Sequence, residues 1–186
     1  MKKKIISLLM IVLVIAATYF YAYVDKNIYL YDRNTDTSHF YGTGVLTNED
    51  EISQKFVAKE NNIDGINIKV ASIGNVENVK VHVTLYDESM QEVSKVSVKG
   101  TQLENNKFNA IKFTKVTETK NKEYTLVIRE ENADEQNGIG FYRVLDEDTL
   151  VARIISNKFD VETFLVTLGM IAFVVTFMKV LYKYFK

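Results

Sequence analysis

The chain has no cysteine, no proline and no tryptophan, and only two histidines in 186 residues. Without cysteine there can be neither a disulfide nor a thiolate metal site, so an exported domain of this size is held by its core alone. Without proline there is no wall-sorting signal of the Leu-Pro-x-Thr-Gly type, and a C-terminal apolar run must itself act as the anchor. The missing tryptophan argues against a flat, lectin-like ring platform. His39 and His82 lie 43 residues apart on separate expected strands, where surface positions explain them better than metal or proton chemistry. No His-Glu-x-x-His helix, Gly-x-Ser-x-Gly turn or Gly-rich phosphate loop occurs. The expectation is therefore no catalytic residue, no metal ligand and no cofactor.

What the chain does have is an apolar run at each end. Ile5 to Val24 is twenty residues without a charge, and Thr163 to Met178 is sixteen more, extended past Lys179 by Val180, Leu181 and Tyr182. About 20 apolar residues in a helix cross the hydrocarbon core of a bilayer. Spans are expected at residues 5–24 and 161–182, with a domain at 25–158 between them. Lys2, Lys3 and Lys4 precede the first run, and Lys179, Lys183 and Lys186 close the second. The positive-inside tendency puts both termini in the cytoplasm and the middle outside the cell membrane. A cleavable signal peptide is the competing reading of the first run. Against it stand the length of the run and its end, Tyr19-Phe20-Tyr21-Ala22-Tyr23, which reads as an interfacial aromatic belt. Glu162 would sit hydrated at the outer interface. Ala16, Ala17, Gly169 and Ala172 are small residues that permit close helix packing, against each other or against another protein.

The middle is acidic. Between Asp25 and Asp160 there are seventeen basic against twenty-three acidic side chains, a net charge of −6. Such a domain has no overall attraction for nucleic acid or an anionic lipid surface.

Alternation of apolar and polar residues dominates from residue 52 onward. Val79, Val81, Val83 and Leu85 would face a core, with Lys80, His82, Thr84 and Tyr86 on the opposite side. Asp87 to Gln91 reads as a hairpin loop, followed by a return strand at Val93 to Val98. Further strands are expected at Ile52–Val57, Ile66–Val70, Phe108–Val116, Tyr124–Arg129, Ile139–Leu145 and Leu150–Ile155. About eight short strands at close spacing predict an all-β sandwich or barrel, with Ile68, Val81, Val83, Leu85 and Ile128 in its core. Residues 25–51 are less regular, with short strands only at Ile28–Tyr31 and His39–Tyr41.

The stretch from Ile52 to Arg129 resembles a jelly-roll, galactose-binding-like module of bacterial cell-envelope proteins, found outside the membrane in proteins of surface polysaccharide and in membrane glycosyltransferase-like proteins. The features that carry the resemblance are Gln54-Lys55-Phe56, Ile63-Asp64-Gly65-Ile66-Asn67-Ile68-Lys69-Val70-Ala71, Val81 to Asp87 with its loop, Phe108 to Phe113, and Lys122 to Ile128. It implies a mainly β, jelly-roll-like sandwich, here flanked by two transmembrane helices. It does not imply a transferase, since two helices cannot supply a catalytic multi-span domain.

Carboxylate pairs at Glu130-Glu131, Asp134-Glu135 and Asp146-Glu147-Asp148 lie at expected strand edges and turns. Glycosidases use two carboxylates about 5–10 Å apart, which keeps an envelope glycan hydrolase as a minor reading. Asp146 to Asp148 offers oxygen ligands to a hard cation, though without a regular ligand loop. For ligand contact the candidates are Lys80, His82 and Tyr86 on one open strand face, ahead of His39, Tyr41, Phe141 and Tyr142. The expected function is a non-catalytic accessory protein in a membrane complex for surface polysaccharide assembly. Its partners would be the lipid bilayer and a membrane protein such as a glycosyltransferase. The alternative is a module that binds envelope glycan directly.

Overall fold

In the computed structural model, residues 2–47 and 50–185 are described, and for Lys2, Lys3, Lys4, Ser7 and Leu8 only the backbone. Lys186, one of the expected flanking charges, lies outside them. The chain divides into a helical unit, Met1–Asp25 with Asn157–Lys186, and a β unit, Lys26–Ser156.

The helical unit contains α1 (Lys2–Tyr21) and α2 (Val161–Tyr184). Among the described residues one helix, α2, is long and apolar enough to cross a membrane, and Leu9–Tyr21 forms a shorter apolar stretch within α1. α2 starts where Asp160 caps it: its side chain accepts from the Thr163 amide at 2.8 Å, satisfying an orphan donor of the first turn. Glu162 in the first turn and Lys183 in the last complement the helix dipole. The end of α1 and the start of α2 are tied together. The Asp160 amide donates to the Ala22 carbonyl at 2.8 Å, and Asn157 Nδ2 donates to Asp25 Oδ1 at 2.8 Å. Phe159 packs against Tyr19, Tyr23 and Phe164 at the same level.

Among the described residues eleven strands form two sheets: β1 (Tyr23–Tyr29), β2 (Phe40–Val45), β3 (Glu51–Val57), β4 (Asn62–Ile73), β5 (Lys80–Asp87), β6 (Glu92–Lys99), β7 (Phe108–Thr117), β8 (Glu123–Glu131), β9 (Gly138–Val144), β10 (Thr149–Leu150) and β11 (Ala152–Phe159). The smaller sheet runs β3-β8-β5-β6. The larger runs β1-β11-β4-β9-β10, with β2 beside β9 and β7 beside β4. This is a β-sandwich. Its core is built by strict alternation: Ile66, Ile68 and Val70 from β4, Val81, Val83 and Leu85 from β5, Leu126 and Ile128 from β8, Ile139 and Phe141 from β9. All five residues expected in the core are buried there.

The structure has more strands than the eight expected. β1 and β2 fall in the stretch that lacks alternation, because apolar residues occupy both sides: Ile28 and Leu30 pack on the core, while Tyr29 and Phe40 pack in a second cluster with Tyr31. The strand expected at 150–155 breaks at Val151, whose amide donates to Tyr142 and whose carbonyl accepts from Lys69. The hairpin at Asp87 is closed by that carboxylate, which accepts from the amides of Ser89 at 2.9 Å and Gln91 at 3.0 Å. At Gly65 the strands β4 and β7 come together where their register shifts, and a Cβ there would lie 2.5 Å from the Ile111 carbonyl oxygen. Phe141, a sequence candidate for ligand contact, is 1% exposed and belongs to the core.

Val83 is 1% exposed between the two sheets. Val83→Asp should destabilise the β unit by roughly 4 kcal/mol through an unpaired buried carboxylate. Thermal melts of the full chain in detergent, followed by near-ultraviolet circular dichroism, check this; an unchanged midpoint would refute the placement.

Candidate functional site

Each sheet offers an outer face, and the two differ in chemistry. On the smaller sheet, β5 lies between β8 and β6, which sets Lys80 opposite Lys99 and Glu131, and His82 opposite Ser97 and Arg129. Lys80 Nζ donates to Glu131 Oε1 at 3.0 Å, and His82 Nε2 lies 3.0 Å from Glu131 Oε2. His82 Nδ1 lies 2.6 Å from Ser97 Oγ. Hydrogen bonds from Lys80 and then His82 hold the Glu131 carboxyl below its ordinary value. Arg129 pairs with Glu51, and Lys55 Nζ lies 3.4 Å from Glu123. Lys80 and His82, expected to greet a ligand, are thus brought together by Glu131 and satisfied within the protein. Tyr86, partly exposed, sits further along β5 beside Thr125 and Glu92.

The larger sheet turns a different face outward. Lys69 on β4 and Arg153 on β11 stand among five rings. The Arg153 guanidinium carbon lies 3.7 Å from the Phe108 ring centre and 4.5 Å from that of Tyr29. Lys69 Nζ lies 4.7 Å from the Tyr142 ring centre and 5.5 Å from that of Phe40. Tyr31 packs edge-on between Tyr29 and Phe40, with centroid distances of 5.4 and 5.6 Å. Cations over ring faces are attracted by the ring quadrupole. Asn67, opposite Arg153 in register, and Asn27, to which Asn67 Nδ2 donates at 3.2 Å, add amides to this face. The Tyr142 hydroxyl donates to Asn106 Oδ1 at 2.5 Å. Nothing in the sequence pairs Lys69 with Arg153. The signal that could have found them is that both fall on outward positions of strands, with Phe108 and Tyr142 on outward positions of neighbouring strands.

At the β2–β9 edge, His39 Nδ1 lies 3.0 Å from Asp146 and the Tyr41 hydroxyl donates to Asp148 at 2.5 Å. Arg143 Nε is 3.1 Å from Asp148 Oδ1, near enough for an ion pair but off the line of a hydrogen bond. No cluster of three or more metal-ligating side chains occurs among the described residues. A cavity of about 230 Å³ opens between Ile28, Leu30, Phe56, Ala58, Ile63 and Ile154.

One carboxylate stands apart. Glu130 is 4% exposed, and its oxygens accept from the amides of Ile139 at 2.8 Å and Leu46 at 3.3 Å, holding the chain before β3 against β9. Burial pushes its pKa up to about 7, against the two amide hydrogen bonds that pull it down.

Ala16, Ala17, Gly169 and Ala172 are all exposed, and nothing lies within 4 Å of a Cβ placed on Gly169. They do not form the seam between α1 and α2. Tyr21 instead shares a cleft with Thr167, Met170, Ile171, Val174 and Val175, and Thr18 and Ala22 are buried.

No family model matches this chain, and no curated protein sequence matches it. Among solved structures it is similar to a family 6 carbohydrate-binding module, at 12% identity over 74% of this chain and 95% of that one, with a TM-score of 0.36. It is similar to a CocE/NonD family hydrolase of Staphylococcus aureus at 11% identity and a TM-score of 0.40, over 74% of this chain and 37% of that one. A third likeness is to a glycosylation-associated protein complex of Streptococcus agalactiae, at 10% identity and a TM-score of 0.29, over 72% of this chain and 44% of that one. Likenesses of this depth assign the chain neither a family nor a function.

Glu130 makes folding pH-dependent in a defined direction. Its folded pKa, about 7, lies above the ordinary 4.5, so the native state holds a proton that the unfolded chain releases between those values. Its contribution to stability should be fully present below pH 4.5 and be lost, by roughly 3 kcal/mol, as pH rises to about 7, then level off. In Glu130→Gln this component should vanish from urea midpoints measured across that range.

Proposed function

We propose that this chain is a two-pass membrane protein of a bacterial cell envelope, with both termini cytoplasmic and the sandwich outside. The observation that carries this reading is the tie between Ala22 and Asp160, which joins the end of α1 to the start of α2 as an antiparallel hairpin. α1 has twenty residues, about 30 Å of helix. Large apolar side chains are exposed along both helices, from Ile5 to Phe20 and from Val161 to Val180, a pattern that water does not tolerate and lipid requires. Tyr19, Tyr21, Tyr23 and Phe159 suit the membrane–water interface, and the lysines at the free ends suit the cytoplasmic side.

The protein acts without catalysis, as an accessory in a membrane complex that assembles surface polysaccharide. Its partner is a membrane protein of the glycosyltransferase kind. The open positions Ala16, Ala17, Gly169 and Ala172 let a partner's helix approach closely. On the smaller sheet, the ion pairs of Lys80, His82 and Glu131 support a docking or spacer face over a sugar site, because their polar groups are already paired.

Single cysteines at Ser38 and Asn132, both exposed, should react with an impermeant maleimide on intact cells. Labelling only after lysis would refute the topology, and a mature N-terminus near Ala22 would reduce the protein to one anchor. The intact protein should co-purify with its membrane partner in mild detergent, and replacing α1 and α2 with unrelated spans should release that partner. Retention after the exchange would refute the role given to the helices.

A further inference from the structure

We infer that the outer face of the larger sheet binds an anionic saccharide chain, with Lys69 and Arg153 meeting its carboxylate or phosphate groups and the surrounding rings meeting the sugar C–H faces. This deepens the reading above, since it supplies the polymer that an accessory of polysaccharide assembly would hold.

The charge pattern is the main argument. Between Lys26 and Ser156 there are sixteen basic and twenty-one acidic side chains. Lys55, Lys80, Lys107, Lys115, Arg129 and Arg143 have a carboxylate within reach, while cations such as Arg33, Lys95 and Lys99 stand exposed in solvent. Lys69 and Arg153 do neither: among the described residues their neighbours are rings and amides, and no carboxylate pairs with either. Two partly buried positive charges on neighbouring strands therefore keep unused Coulombic capacity on an otherwise acidic domain. Rings hold a cation in place without neutralising it. An incoming anion would find both side chains already oriented, so little rotamer entropy remains to be lost.

The rest of the face favours a sugar polymer. Tyr29, Phe40, Phe108 and Tyr142 are partly covered and Tyr31 is buried, so no ring projects far enough to enter a lipid interface. Asn27, Asn67 and Asn106 supply donors and acceptors for hydroxyls, which are costly to desolvate unpaired. The face runs from β1 through β11 and β4 to β7, with β9 and β2 beside the far end of β4, which fits an extended chain laid across strands about 4.8 Å apart.

The test uses the full chain in nanodiscs of neutral lipid, with three probes: polygalacturonate for carboxylates, poly(glycerol phosphate) for phosphodiesters, and neutral dextran. Calorimetry or interferometry should show binding of at least one anionic polymer, weakening as salt rises, and no binding of dextran. Which anionic polymer binds identifies the charged group. Lys69→Gln and Arg153→Gln should each weaken binding about fivefold or more, while Lys69→Arg preserves it. Lys95→Gln with Lys99→Gln, on the other sheet, should leave it unchanged and near-ultraviolet dichroism should show all variants folded. The inference is overturned if neither anionic polymer binds, if dextran binds equally, or if the Lys95/Lys99 pair weakens binding as much. Co-flotation with phosphatidylglycerol vesicles, lost in Lys69→Gln while no polymer binds, would assign the face to a membrane surface and also overturn it. Loss of polymer binding with Ser38→Cys still labelled from outside refutes only this inference. Labelling from inside with polymer binding intact refutes only the topology.

Discussion

Strand β4 is hydrogen-bonded along both edges for most of its twelve residues, to β11 and then β9 on one side and to β7 on the other. That pairing is possible only because the backbone of β7 closes on Gly65, where any side chain would strike the Ile111 carbonyl. The register set there decides which residues of β4 point inward. Ile66, Ile68 and Val70 go to the core, which leaves Asn67 and Lys69 on the outer face. A shift of one residue would exchange these sets, placing an ammonium between the sheets and three branched aliphatics in water. The core and the aromatic face are two sides of one register.

The same alternation explains why two sheets of one domain carry such different surfaces. On the smaller sheet, β8 contributes Glu131 and Arg129, and each finds an opposite charge across a strand pair. Exposed pairs of this kind add little stability, about 0–1 kcal/mol each. Their effect is to neutralise Glu131 and Arg129 within the sheet. On the larger sheet the neighbours of Lys69 and Arg153 are rings, so the positive charge persists.

Much of the sandwich can be read in the residue pattern, most plainly at β5, where Val81, Val83 and Leu85 alternate with polar residues and are buried as that pattern requires. The pattern fails at β1 and β2 for a physical reason: tyrosine and phenylalanine on the outer side erase the contrast between the two faces. It also misses the break at Val151, which depends on hydrogen bonds to residues distant in sequence. Among the site residues, Lys80, His82 and Tyr86 share a strand as expected, but the expected openness of that face overlooked Glu131 arriving from β8. The aromatic face is not legible as a unit because its members come from six strands, from the bend at Tyr31 and from the turn at Asn106, each segment adding only one or two residues. Proximity of that kind is created by the sheet order and leaves no local trace. Glu130 was equally hidden, since its neighbour Glu131 is half-exposed and only the fold separates their environments.

The entry and exit strands of the sandwich, β1 and β11, are neighbours at one edge of the larger sheet. A domain whose two ends emerge side by side can be spliced into a host chain at a single tight turn without stretching that host. In chain order the β unit, Lys26–Ser156, is inserted between the two stretches that make up the helical unit. Exchanging that unit for a different sandwich, or setting this one into another hairpin, asks for continuity only across Asp25 and Asn157, whose side chains already meet.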